Sequence, residues 1–472
     1  MDRRQKLAWI VITVAAAILT YQLFIPPIIG LADQGDFARI IGTFGYVPED
    51  RYATIAFVAQ KYVPDSAARK PEWEQPSSEY LFVASAILLN KIISQDGKLD
   101  IVVIGAVHAF AFLAAFARLL LVTKQYRASP VLWIIGLLAL TDVGYAAYWN
   151  SFYAEPASCI FFLLLAAESI AVCNSEQVSP RQIALWSLWA ILFVMAKAQN
   201  APLGILLSLF SVRLCWWTKE RATRQLAILA SALIAAATFF NIVTIPARVQ
   251  WADAYNHLFL AILPESRNPS ADLKAFGLEP ALAKYSGTGA WSPGSGFHDM
   301  VESGLIGNEL THAAIARFYL QHPTRIWRHA KTLVPIAFSL RPEWCGNFER
   351  TAGRPPGARS VAFTLWSGFH EQVLRRMGKL ILILLCLSPA IAVPAWIRFP
   401  ARRRPIELFF LLSICCLTAF LVAALGDDWD NVKHLFLFNL MLDACLIFAT
   451  GFITSPTSKG SPSSNAVLAN DD

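Results

Sequence analysis

The chain has 472 residues, 56% hydrophobic and 15% charged, with a mean hydropathy of +0.47. Soluble proteins carry nearer a quarter charged residues, so an ordinary globular enzyme is excluded. The net charge of +7 does not point to nucleic acid. Its basic residues cluster beside apolar runs, at Arg3, Arg4 and Lys6, at Lys219, Arg221 and Arg224, and at Arg398 and Arg402–Arg404, which is the positive-inside pattern of membrane proteins.

Apolar runs of about 20 residues can each cross a hydrocarbon core of roughly 30 Å, and lipid favours helices because it satisfies no free backbone group. The expected fold is an all-α polytopic membrane protein with about ten transmembrane helices, within a range of about 8–12. The first span covers about 7–29. It lacks a small-residue cleavage site and reads as a retained anchor, with the N-terminus cytoplasmic. Residues 31–100 form a polar first outer loop. Within it, 80–93 is apolar but short and reads as an interfacial helix. That assignment places three basic loops on the inner side. Spans follow at about 101–123, 131–149, 156–173, 182–198 and 201–217, and another runs to about 245.

Residues 1–245 therefore form an N-terminal transmembrane module. Residues 246–377, with six of the eight histidines and the glycine-rich stretch 287–296, form an outer-face region of amphipathic helices. Three more spans fill 378–454. The Ser-, Pro- and Asn-rich tail, 455–472, is expected to be disordered and cytosolic. The eight cysteines have no Cys-x-x-Cys spacing, and the histidines no His-x-x-x-His pair on an apolar face. Neither a disulfide framework nor a zinc site is expected.

Two acidic loops stand out. Asp33-Gln34-Gly35-Asp36-Phe37 follows the first span, and Asn150-Ser151-Phe152-Tyr153-Ala154-Glu155-Pro156 follows the third. Asp36 could serve as general base, or bind a divalent cation such as Mg2+ or Mn2+ bridging a phosphate. Helix capping is the competing role for Asp33 and Asp36. Arg39 lies one turn on. Pro156 suits the first turn of a helix and fixes Glu155, and Asn150 or Ser151 could terminate the preceding turn, which leaves a capped helix junction as the competing role.

Asp142, inside an apolar run, needs a cavity or a partner. Lys197 is a cation within an apolar stretch, followed by Gln199 and Asn200. It could hold a phosphate, pair with an acid or snorkel to the interface. Lys433 and His434 open the last span, where a helix N-terminus favours anions. Asp443 lies deeper and also needs a partner. Arg341, Asn347, Arg317, Tyr319 and His322 are weaker candidates for acceptor contacts, with packing as the simpler reading.

The order and sidedness of these elements resemble the GT-C superfamily of integral membrane glycosyltransferases, in particular a bacterial subgroup of hexosyltransferases for surface glycans. The resemblance rests on Gly35-Asp36-Phe37, on Asn150-Ser-Phe-Tyr-x-Glu-Pro, on Lys197-x-Gln-Asn and on Lys433-His434. It implies transfer of a hexose from a polyprenyl-phosphate donor to a glycan, lipid or protein acceptor on the outer face of a bacterial inner membrane, with the prenyl chain sheltered between spans. Asp36 and Glu155 would be catalytic. Lys197, Lys433, His434 and Arg39 would hold the donor phosphate. Asn150, Tyr153, Gln199, Asn200, Arg341 and Asn347 would contact substrate. No metal ligand is assigned, since the first loop has Asp33-x-x-Asp36 and lacks a tight acidic pair. A transporter or flippase of lipid-linked intermediates, and a non-catalytic subunit of an envelope complex, are the rival readings.

Overall fold

A computed structural model describes residues 2–454. The tail at 455–472 lies outside the described residues. The protein is a polytopic helical bundle. Its main helices are α1 (Arg3–Phe24), α2 (Tyr80–Ile93), α3 (Ile101–Thr123), α4 (Ser129–Leu140), α5 (Glu155–Asn174), α6 (Pro180–Val194), α7 (Ala201–Leu214), α8 (Arg221–Val243), α9 (Ala247–Asn256), α10 (Pro323–Leu333), α11 (Arg375–Arg398), α12 (Arg403–Gly426) and α13 (Phe436–Thr454).

Among the described residues, seven helical stretches are long and apolar enough to cross a membrane: Arg3–Phe24, Ile101–Thr123, Glu155–Asn174, Arg221–Val243, Leu365–Arg398, Pro400–Gly426 and Asn431–Gly451. The sequence pattern suggests about ten. The difference lies in three expected spans that fold as shorter helices, α4, α6 and α7, of 12, 15 and 14 residues.

The shortening of α4 has a visible cause. The run 131–149 does not continue as one helix, because Asp142 turns the chain. Its carboxylate accepts from the backbone N–H of Gly144 at 2.7 Å, starting a separate turn at Val143–Ala146. It also accepts from the N–H groups of Trp366 and Ser367, at 2.8 and 2.9 Å. The partner that an acid in an apolar run requires is thus backbone from a distant segment. Asp443 is likewise satisfied, by Tyr145, Trp366 and His370 at 2.7, 2.9 and 2.7 Å.

Helix starts follow local chemistry. Pro156, Pro180 and Pro202 each sit in a first turn, where the missing N–H costs nothing. Ser179 and Gln182 close a capping box on α6. Helix α2 exposes Leu88, Ile92 and Ile93 and packs on α3. The stretch 31–100 also holds a small antiparallel sheet, which its polar composition did not suggest. Its strands are β1 (Tyr46–Pro48), β2 (Lys61–Pro64) and β3 (Leu99–Asp100), with Val47 opposite Val63 and Tyr62 opposite Leu99.

Two apolar cores form. One runs through the bundle; the other gathers Tyr255, Phe259, Phe276, Phe297 and Phe318 in the polar region after α8. Residues 330–345 join the bundle core through Leu333, Phe338 and Leu340. In the bundle, α1 packs on α3 and α4, and α13 packs on α4 and α12. This order brings the start of the last helix beside the loop that follows the first.

Candidate functional site

In the first loop, Asp33 and Asp36 have different tasks. Asp33 Oδ1 accepts from the N–H groups of Gly35 and Phe37, at 2.7 and 3.1 Å, so the capping role falls to Asp33. The turn needs Gly35 at φ +112°, a conformation closed to most side chains. Gly35 is therefore required for its backbone, whereas a Cβ there would meet nothing. Only a short 3-10 turn, Phe37–Arg39, follows, and the two acids do not share a helix face. The Asp36 carboxylate instead meets the Lys433 ammonium and, at 3.3 Å, the Arg39 guanidinium. Burial disfavours its charge, but Arg39 and then Lys433 hold the carboxyl well below the usual carboxylate range. Burial has the upper hand at Asp33, whose pKa rises to about 6.

The second loop lies against the first. Phe37 meets Tyr153 and Phe152 edge-on, with ring centroids 4.6 and 5.6 Å apart. The Tyr153 hydroxyl donates to the Ala32 carbonyl at 2.8 Å and accepts from the Gln34 N–H at 3.1 Å. Its ring also lies 5.1 Å from the Lys433 ammonium. Glu155 opens α5 and pairs with Lys197 at 2.7 Å. Lys197 sits at a break between α6 and α7, in extended backbone. Asn241 holds that break by donating to the Val194 and Lys197 carbonyls, and Gln75 donates to Asn241 in turn.

The last loop completes the cluster. Lys433 is almost fully buried between Asp36 and Asp430, the latter at 3.0 Å. Gln34 joins every part: its side chain donates to Asp430 and accepts from Trp344 Nε1 at 3.2 Å, while its backbone meets Tyr153. His434 faces Asp427 at 3.3 Å, and Asp427 also accepts from Asn256 at 2.9 Å. Asp253, on α9, lies within electrostatic reach of Asp36, Arg39, Lys197 and Asp427; burial and then Asp427 push its pKa well above the ordinary value. Around Arg39 the rim is aromatic. Trp73 lies under Arg39 and Arg248, at 6.0 and 5.6 Å, and 5.4 Å from Trp291.

The structure thus brings Asp36, Arg39, Glu155, Lys197, Lys433 and His434 together. Other expected substrate contacts are engaged in packing. Asn150 is fully buried and donates to the Leu23 and Ile29 carbonyls, at 3.0 and 2.8 Å, tying off the end of α1. Asn200 is buried on Ser158 and the Phe193 carbonyl. Arg341 is buried on Asn347 and the Ser360 carbonyl, and Asn347 donates to the Gly30 carbonyl at 2.8 Å. That strap is extended by backbone bonds from Gly30 to Asn347 and from Ala32 to Gly346. Among these residues only Gln199 is half-buried with no hydrogen bond to its side chain among the described residues.

Of the weaker candidates, Tyr319 bonds His257 at 2.8 Å and His322 stacks near Phe318. Gln34, Asp253, Asp430 and Trp73 were missed as site residues. Gln34 stands inside the acidic loop already singled out, whereas only the fold reveals where Asp253 and Trp73 lie.

A cavity of about 990 Å3 lies elsewhere in the bundle, lined by Phe116, Leu163, Cys415 and Met441 and by the Arg402–Arg404 turn. None of the six clustered residues lines it.

These features define a polytopic membrane protein with a paired-charge cluster where the loops after α1, α4 and α12 meet the break after α6. The chain belongs to the family described as the YfdI N-terminal transmembrane domain, whose model matches residues 2–465. No curated protein matches it. Among solved structures, the chain is similar to the oligosaccharyltransferase of Archaeoglobus fulgidus in its apo form, at 13% identity and TM-score 0.39, over 94% of this chain and 50% of that one. It is also similar to the same organism's AglB in complex with an inhibitory peptide and a dolichol-phosphate, at 12% identity and TM-score 0.40, over 95% and 51%. The chain therefore spans about half the length of these proteins.

Proposed function

We propose that the protein is an inverting glycosyltransferase of GT-C type that moves a hexose from polyprenyl phosphate to a glycan, lipid or protein acceptor. The observation that carries the reading is Lys433, buried between Asp36 and Asp430 and next to the Lys197–Glu155 pair. The buried Lys433 and the half-buried Lys197, each held by an acid, with a further guanidinium on Arg39, form a ready receptor for an anionic leaving group.

In the reaction, the acceptor hydroxyl attacks the anomeric carbon as the bond from that carbon to the phosphate oxygen breaks. The phosphate leaves with the electron pair, and the hydroxyl proton passes to a carboxylate. Asp36 is that carboxylate. Its low pKa makes it a weak base while Arg39 and Lys433 hold it. A donor phosphate that takes over these cations removes that pairing and adds negative charge nearby, which raises the basicity of Asp36. Donor binding then switches the base on. Lys197 and His434 steady the phosphate, and Glu155 orients Lys197. The tryptophan rim offers apolar faces to a sugar ring.

Asp36 is already matched to Arg39 and Lys433, and Asp430 to Lys433, so the donor set around Asp36 is crowded with cations and does not fit Mg2+ or Mn2+, and no step passes through a metal. The ten-crossing topology, with both termini cytoplasmic and the cluster on the outer face of a bacterial inner membrane, belongs to the same proposal. A 1–245 module, an outer region at 246–377 and a C-terminal bundle at 378–454 are its parts. The flippase reading has less support, because Asp142 and Asp443, the deep acids it would use, are bonded into packing.

The test uses the purified full chain with a panel of polyprenyl-phosphate hexoses, measuring release of polyprenyl phosphate and transfer of sugar. Transfer that is lost in Asp36→Asn and Glu155→Gln supports the reading. No turnover with any donor, or turnover undiminished in both variants, sinks it.

A further inference from the structure

Away from Asp36, three buried side chains from distant segments converge: His257, His329 and Asp428. His257 lies in a π-helical stretch, His257–Ile262, that continues α9. Such widened turns are uncommon and often mark functional positions. His329 projects from α10, and Asp428 from the loop before the last span. Their candidate donor atoms all lie within 4.8 Å of one another. His257 Nδ1 is 2.7 Å from one Asp428 oxygen, and His329 Nε2 is 3.1 Å from the other.

Distance alone would make these ordinary imidazole–carboxylate hydrogen bonds. Alignment does not. His257 Nδ1, His329 Nε2 and Asp428 Oδ2 are all buried without a hydrogen-bond partner. Buried polar atoms left in that state cost about 1–3 kcal/mol each. The opposite ring nitrogens are occupied: His257 Nε2 contacts the Tyr319 hydroxyl at 2.8 Å, and His329 Nδ1 contacts Glu265 at 3.4 Å. Outer partners of this kind orient the rings of metal-bound histidines and settle which nitrogen faces the centre.

We propose that His257, His329 and Asp428 bind a first-row transition metal ion, zinc by preference, that clamps the last outer loop to the outer region. Two imidazoles and one carboxylate suit zinc better than magnesium or calcium, which prefer all-oxygen shells. Three protein ligands leave a fourth position for water. The clamp has a purpose legible in the fold. Two residues beyond Asp428, Asp430 holds Lys433 and Gln34. A metal at Asp428 fixes the loop from which those contacts are made. This site is separate from the proposed transfer chemistry and stands or falls independently of it.

The experiment takes the full chain in detergent, strips it with chelator, adds zinc and removes excess. Metal analysis is expected to find about one zinc per chain, with His329→Gln and Asp428→Asn reducing it at least about fivefold and Asp36→Asn leaving it unchanged. Cobalt added to stripped wild-type protein is expected to give visible absorption of a low-coordinate nitrogen–oxygen site, a readout needing no variant. Zinc is also expected to raise the thermal midpoint of stripped wild-type protein but not of Asp428→Asn. Retention below about 0.1 metal per chain with zinc, manganese and iron(II), or equal retention in wild type and both ligand variants, overturns the proposal.

Discussion

Lys433 and Asp36, 397 positions apart in sequence, meet as an ion pair with Lys433 buried and Asp36 half-buried. Removing one member of such a pair leaves an uncompensated charge, which is worse than removing both. Lys433→Met is therefore expected to destabilise by about 3 kcal/mol, and the double variant with Asp36→Asn by less than the sum of the single changes. Denaturation of the purified variants measures this. Additive losses would show that the two charges do not interact. In the transfer assay each single variant is expected to lose at least about 100-fold in rate.

Glu155 and Lys197 form a second pair, with Lys197 partly accessible. Glu155→Gln keeps a hydrogen-bond acceptor but releases the ammonium from its counter-charge. It is expected to lower turnover by about 10- to 100-fold while changing stability by only about 1 kcal/mol. Lys197→Met is expected to raise the KM for the prenyl-phosphate donor. An unchanged KM would remove Lys197 from the phosphate site.

Gln34 links four segments through four hydrogen bonds, one of them a long contact from Cys345 Sγ at 3.9 Å. Gln34→Ala removes the three made by the side chain and is expected to cost about 2 kcal/mol. Gln34→Glu sets a carboxylate against Asp430 and is expected to cost more. If Glu is the better tolerated, the contact with Asp430 is not made as described.

Asp33 supplies a pH test. Its ordinary pKa near 3.8 rises to about 6 in the fold, through burial. The folded state therefore holds the proton more tightly. The resulting stabilisation is complete below about pH 4 and fades as pH rises through about 6. Asp33→Asn keeps an oxygen for the Gly35 and Phe37 N–H groups without the charge. It is expected to be more stable than the parent at neutral pH, by on the order of 1 kcal/mol after solvent screening, with the gap closing towards pH 4. Thermal midpoints measured across that range check the sign.

Gly346 tests the strap. A Cβ there would stand 2.0 Å from the Ala56 carbonyl oxygen, a backbone atom that cannot swing aside. Gly346→Ala is expected to destabilise by about 3 kcal/mol or more. Wild-type stability in that variant would mean that residues 346–348 do not run between 30–32 and 55–58.

Much of the helical framework was legible because apolar runs and flanking charges report it directly. The shortness of α4 was not, since Asp142 and its backbone partners at 366 and 367 are over 220 residues apart. In the site, a charge in an apolar stretch singled out Lys197, and the start of the last span singled out Lys433; both lie in the cluster. Polar residues at a junction were ambiguous: Asn150 in sequence looks as available as Glu155, yet its amide is spent on the carbonyls at the end of α1. Spacing along the chain also hid the histidine pair, because His257 and His329 are neighbours only after α10 folds back.

The meeting of Lys433 with Asp36 also sets an order of events during synthesis. Asp36 leaves the ribosome 397 residues before Lys433, which belongs to the apolar segment Asn431–Gly451. Until that segment inserts, the early acid has Arg39 but neither Lys433 nor the Asp430–Gln34 tie. The cluster therefore closes as a late step in assembly, and a chain stalled before residue 433 would hold most of its helices without a finished site.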